Sequence, residues 1–208
     1  MLGRRKNAKE KGWKVSIDRP EEIYVEPSKY YTDEEVKKYI LSGGMKRTQE
    51  KIAYRILELA KLKGGKVLDM GCGIGYTASV YEREGFSVVG LDVLPKMLEE
   101  ARKKGLRVVE GDMRDVSDMF GEGSFDAIFS VSALQWLKEK KDLEKVAFGI
   151  RKVLKAGGKL VIQFYPKTEE EMMMTAKIFK KAGFEGQIII DNPKNPMKRV
   201  IFLVMDKV

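Results

Sequence analysis

Short apolar runs alternate with helical patterns five times between residues 66 and 164, and few architectures accept such a chain. The runs are 66–70, 86–91, 106–110, 125–130 and 159–164, each of the length and composition of a buried strand. Between them a helix is expected to start near Gly75, Pro95 suits the first turn of another, and residues 143–154 carry a third. Strand–helix alternation forces parallel pairing through right-handed crossovers, with helices on both faces of the sheet. A further helix then bears Met172, Ala176 and Phe179 on one stripe. Two β-rich runs, 187–191 and 199–205, follow around a turn with Pro193 and Pro196. Strands joined by so short a connection must pair antiparallel. The expectation is an α/β fold with a seven-stranded, mostly parallel sheet that finishes in an antiparallel hairpin.

Upstream, residues 1–30 read as a basic, partly irregular arm, with Pro20 and Pro27 and no clear period up to about Tyr31. Residues 31–208 read as a single domain, of which 31–63 form helices laid over the site. The first spans about 33–41 and is ended by Ser42-Gly43-Gly44; the second has Ile52, Ile56, Leu59 and Ala60 on one face and stops at Gly64-Gly65. No apolar run approaches the roughly 20 residues of a bilayer span, and the start has no apolar signal region, so a cytoplasmic protein with no membrane partner is expected. Histidine is absent and Cys72 is the only cysteine. That excludes a disulfide framework, Cys/His zinc sites and histidine-based triads, and no metal site is expected. The formal charge of +9 suits a polyanion such as RNA, or equally a lysine-rich solvated surface. Arg4, Arg5, Lys6, Lys9, Lys11 and Lys14 crowd the N-terminus, and Lys194, Lys198 and Arg199 cluster near the other end.

The segment Val67-Leu68-Asp69-Met70-Gly71-Cys72-Gly73-Ile74-Gly75 runs from a buried strand into three alternating glycines and then a helix. Glycines there let the backbone turn sharply and let a ligand lie against it. The spacing is G-x-G-x-G, where a dinucleotide fold has G-x-G-x-x-G. Asp69, two residues before the first glycine, suits an ammonium group, met directly or through water, and would be misplaced beside a pyrophosphate. These details favour S-adenosyl-L-methionine over a dinucleotide. Asp92 ends the second strand, where a carboxylate accepts from both ribose hydroxyls; its other reading is a cap for the helix at Pro95. Asp112 follows the third strand, placed for the adenine amino group with Met113 against the ring; its other reading is a solvated turn. Cys72 contributes backbone, and Val93 and Ser130 complete the expected cofactor set at the carboxyl edge of the sheet. The arrangement of five alternating units and a hairpin is that of a Rossmann-like class I methyltransferase.

The acceptor side is read from Ser130-Val-Ser-Ala-Leu-Gln-Trp-Leu137. It lacks the Asn/Asp-Pro-Pro-aromatic tetrad common in enzymes that methylate exocyclic amines. Carbon-5 pyrimidine methylation needs a cysteine beside the base, and the single cysteine is in the glycine loop. Guanine N7 fits what remains, because its lone pair is free and in-line attack needs no general base. Trp136 and Tyr165, just past the fourth and fifth strands, are candidates to position the substrate by sandwiching a base, or else are loop-covered core.

Several stretches go further. Phe125-Asp-Ala-Ile-Phe-Ser-Val-Ser-Ala-Leu-Gln-Trp-Leu137, Gly157-Gly-Lys-Leu-Val-Ile-Gln-Phe-Tyr-Pro-Lys167, Arg19-Pro-Glu-Glu-Ile23, Tyr31-Thr-Asp-Glu-Glu-Val-Lys-Lys-Tyr39, Ala182-Gly-Phe-Glu-Gly186 and Asp191-Asn-Pro193 closely resemble the eukaryotic small-subunit rRNA guanine-N7 methyltransferases. The similarity runs from about Arg19 onward. It implies N7 methylation of a guanosine in rRNA or a pre-ribosomal particle. It also implies Tyr39 and Gln49 near the cofactor, and a small zinc-binding activator protein paired with the exposed third strand, Leu106-Arg107-Val108-Val109-Glu110. The family's bulkier residues near Gly43-Gly44 are missing, and the basic segment lies at the N-terminus in place of a basic C-terminal tail. Two other functions fit the same pattern: a methyltransferase for a small molecule, and a ribosome-assembly factor with little catalytic activity.

Overall fold

A computed structural model describes residues 19–208, and the basic cluster from Arg4 to Lys14 lies outside the described residues. The aliphatic runs become β1 (Gly65–Met70), β2 (Phe86–Asp92), β3 (Val108–Glu110), β4 (Phe125–Val131) and β5 (Leu154–Phe164), followed by β6 (Phe184–Asp191) and β7 (Val200–Lys207). They form one sheet in the order β3-β2-β1-β4-β5-β7-β6. The first five pair in parallel, while β7 is antiparallel to both β5 and β6. Chain order reverses between β1 and β4, which opens a crevice at their carboxyl ends.

Strand periodicity decides which side chains go to which face. Val67, Phe129 and Val161 point to one side, under α4 (Gly43–Ala60) and α5 (Tyr76–Arg83). Leu68, Ile128 and Leu160 point to the other, under α8 (Lys140–Val153) and α9 (Glu169–Lys181). All six of these side chains are fully buried, so the central strands are apolar on both faces, as a sheet covered by helices requires. Among the described residues no helix is long and apolar enough to cross a membrane.

The remaining helices are α1 (Pro20–Ile23), α2 (Pro27–Tyr30), α3 (Asp33–Leu41), α6 (Pro95–Lys103) and α7 (Val116–Met119). Four details differ from expectation. Residues 20–30 are irregular only at 24–26: α1 and α2 each begin on a proline, whose fixed φ suits a first helical position. Gly43-Gly44 does not separate α3 from a distant helix. Ser42 closes α3 and at once caps α4, its Oγ accepting from the Met45 N–H at 3.1 Å. The third strand is shorter than 106–110, although the Arg107 carbonyl still accepts from Gly90 at 2.9 Å. The fifth strand starts earlier, at Leu154, with a register shift opposite Phe125 and Ala127. β3 lies at the sheet's edge, as expected.

Candidate cofactor and acceptor site

A cavity of about 930 Å³ lies at the reversal of strand order, floored by the loop after β1 and roofed by α3 and α4. The three loop glycines all have positive φ, and each meets different surroundings. At Gly71 (φ +79°) an added Cβ would fall 2.3 Å from Ala133 Cβ. At Gly75 (φ +81°) it would fall 2.1 Å from Leu106 Cδ1, so this glycine packs the start of α5 against Leu106 and does not line the cavity. At Gly73 (φ +53°) it would meet nothing within 4 Å: Gly73 lines the cavity, and its bare backbone is an open cradle. Cys72 packs its thiol against Gly90, and burial pushes that thiol well up, which suits an inert residue.

Asp92 fixes this loop. One carboxylate oxygen accepts from the Gly73 N–H at 2.8 Å and the other from the Leu94 N–H at 3.0 Å. Asp92 therefore orders the glycine turn and the approach to α6 together while still bordering the cavity, as does Val93 beside it. Burial raises its pKa above the usual carboxylate value, against the lowering effect of those N–H groups. Asp69 lies deeper, fully buried and behind the lining residues. Its Oδ2 accepts from the Thr77 hydroxyl at 2.6 Å, and its Oδ1 has no partner. Burial pushes its pKa up to about 7.

Asp112 and Met113 border the cavity after β3. The Asp112 carboxylate accepts from Arg114, at 2.8 Å from the backbone N–H and 3.0 Å from Nε. Burial raises its pKa, but the Arg114 bonds outweigh it and hold the carboxyl below its ordinary value. Ser130 is not brought to the cavity. It is fully buried, and its hydroxyl donates to the Met70 carbonyl at 2.7 Å, tying β4 to β1.

Tyr39 and Gln49 reach the cavity from α3 and α4. Tyr39 stacks on Tyr76, with centroids 5.9 Å apart and planes at 20°, and Tyr31 meets it edge-on at 6.2 Å. Trp136 and Tyr165 line the same cavity; Tyr31 lies 6.3 Å from Trp136, and the Arg19 guanidinium lies 4.7 Å over the Tyr165 ring. The sequence reading did not single out four other lining residues: Glu21, Tyr31, Ser132 and Gln135. Ser132 has φ +54°, a strained position for a residue with a side chain, and its hydroxyl donates to Gln163 Oε1 at 2.8 Å. Gln135 Oε1 is buried without a partner. All four stand in stretches whose resemblance is legible, but their individual places at the cavity depend on tertiary placement. Among the described residues no group of acidic or cysteine side chains could hold a metal ion.

The residues at the glycine end fit an adenosyl sulfonium. Gly73 leaves room, Asp92 offers a half-buried acceptor to hydroxyls, and the unpartnered Asp69 Oδ1 offers a further acceptor behind Thr77. The comparisons agree with that chemistry. Residues 68–162 match a family described as a methyltransferase domain. The 18S rRNA (guanine-N(7))-methyltransferase of Schizosaccharomyces pombe is 34% identical over 203 residues, covering 91% of this chain and 74% of its own. The PH0226 protein of Pyrococcus horikoshii OT3 superposes with a TM-score of 0.68 at 22% identity, over 86% of this chain and 95% of that one. Haemonchus contortus phosphoethanolamine N-methyltransferase 2, solved with S-adenosylhomocysteine, has a TM-score of 0.64 at 25% identity, over 78% of this chain and 44% of that one.

Proposed function

The chain belongs to the 18S rRNA guanine-N7 methyltransferase family of S-adenosylmethionine-dependent methyltransferases, and from that premise we propose that it methylates guanine N7 in small-subunit ribosomal RNA. The observation that carries this reading is a shared cavity: Tyr31, Trp136 and Tyr165 line the same space as Gly73 and Asp92. Aromatic faces bind a nucleobase by stacking, whatever the flanking sequence.

Bound S-adenosylmethionine supplies an electrophilic methyl group on a positively charged sulfur. In the proposed arrangement Gly71, Cys72 and Gly73 present backbone to it and Asp92 takes the ribose hydroxyls. Asp69 balances the ammonium through Thr77 or water. Met113 and Val93 flank the adenine, Asp112 borders it with its carboxylate held by Arg114, and Tyr39 and Gln49 cover the site. Gly75 and Ser130 support this surface from behind. At the acceptor end N7 forms its new bond with its own lone pair, the electrons of the broken sulfur–carbon bond stay on sulfur, and no proton is exchanged. The chain therefore has to supply position and not a base, which agrees with its lack of histidine. The proposal includes a zinc-binding activator that adds a strand to β3, whose outer edge is unpaired in the sheet.

The test is to map N7-methylguanosine in small-subunit rRNA from cells with and without this protein. Loss of one modified site on deletion is the expected result. Tritium passing from S-adenosylmethionine into small metabolites and never into RNA would overturn the proposal. Full activity of the isolated chain, with no gain from a zinc-binding partner, would remove the activator from it.

A further inference from the structure

Glu21 keeps only 6% of its surface, lines the cavity, and receives neither a hydrogen bond nor an ion pair from the described residues. Buried carboxylates are ordinarily paired, because a lone charge out of water is costly. Its neighbours put it at the acceptor end. Arg19, two residues earlier, donates to the Tyr165 carbonyl at 3.1 Å and covers that ring. Tyr31, whose phenol is raised first by burial and then by Tyr30, Asp92 and Glu21 in that order, approaches Trp136. An acceptor-only group therefore lines the same cavity as three aromatic side chains.

A carboxylate in such a place suits a base that offers two neighbouring N–H donors. Guanine does so through N1–H and the 2-amino group, on the edge remote from N7. Adenine presents an acceptor at N1, and inosine lacks the amino group. Resting on the guanine-N7 reading above, we propose that Glu21 identifies the target base by accepting from guanine N1–H and the 2-amino group. The pairing also favours the reaction. The ring becomes positively charged as N7 gains its methyl group, and a carboxylate beside N1–H holds the charged ring more tightly than the neutral one.

The test titrates GMP, IMP and AMP into the full chain saturated with S-adenosylhomocysteine, followed by calorimetry. GMP is expected to bind roughly tenfold or more tightly than either of the others, as a two-bond base contact allows. Glu21→Gln should abolish that preference and Glu21→Asp should keep part of it, while both variants bind S-adenosylhomocysteine like the wild type. Equal binding of GMP and IMP, undetectable GMP binding at millimolar concentration, or a preference that survives Glu21→Gln overturns the assignment. The wild-type comparison decides even if a variant fails to fold. If rRNA carries the N7 mark but GMP and IMP bind alike, Glu21 alone has been misread. If the mark does not depend on this protein, the underlying function is wrong.

Discussion

Gly73 and Gly75 stand two residues apart, and the same substitution should harm them differently. Gly75→Ala forces a methyl group against Leu106 in a left-handed backbone, so overpacking adds to the conformational cost. A loss of roughly 1–3 kcal/mol in denaturant unfolding is expected. Gly73→Ala bears only the conformational cost, about 1 kcal/mol, because its methyl meets no protein atom within 4 Å. Its larger effect should be on S-adenosylhomocysteine affinity, measured by calorimetry. Equal affinity losses in the two variants would contradict this division. Asp69 makes a prediction in pH. Its folded pKa of about 7 exceeds the unfolded value of about 3.9. The folded chain then holds more protons between those values, so stability should fall as pH rises through that window and level off above it. Asp69→Asn should flatten the fall in melting temperature, and an unchanged slope would exonerate Asp69. At this scale the sequence located the cavity's lining where backbone chemistry is local, as at Gly71, Gly73 and Asp92. It misled at Ser130, which bonds Met70 across the sheet, and was silent about Glu21 and Ser132, whose burial or strain arises only when distant segments meet.

Ser42 joins two elements with one side chain. Its hydroxyl supplies the N-cap of α4 in the same residue that ends α3, and both helices carry cover over the cavity. Ser42→Ala should cost about 1 kcal/mol of stability, and should loosen S-adenosylhomocysteine binding because Tyr39 and Gln49 ride on those helices. Thermal melts with and without the ligand would show the loss, and a variant with wild-type melting and affinity would refute it. Element order and pairing were legible because short apolar runs and period-3.6 patterns alternate from Lys66 to the closing hairpin. The short helices α1 and α2 were not, since four residues cannot display a period; only their leading prolines gave a signal. Gly43-Gly44 was read as a break, although glycine is tolerated at a helix start when a serine precedes it to cap the turn.

For the molecule as a whole, the surplus of nine positive charges should appear in its response to salt. Binding to rRNA is expected to weaken linearly in log–log form as salt rises, with a slope near −0.7 to −0.9 for each phosphate contacted, to order of magnitude. Removing residues 1–18, which include Arg4, Arg5, Lys6, Lys9, Lys11 and Lys14, should make that slope shallower. A salt-independent affinity would mean that the charge is ordinary surface. The sheet order has a consequence for synthesis on the ribosome. β7 follows every other strand in chain order, yet it sits inside the sheet between β5 and β6, with Phe202 and Leu203 buried. Until β7 emerges, the nascent chain exposes an unzipped flank along β5 and β6 has no neighbour to join. Premature termination would thus release a sticky, half-closed product, and chaperones guarding new polypeptides should engage this one late in elongation.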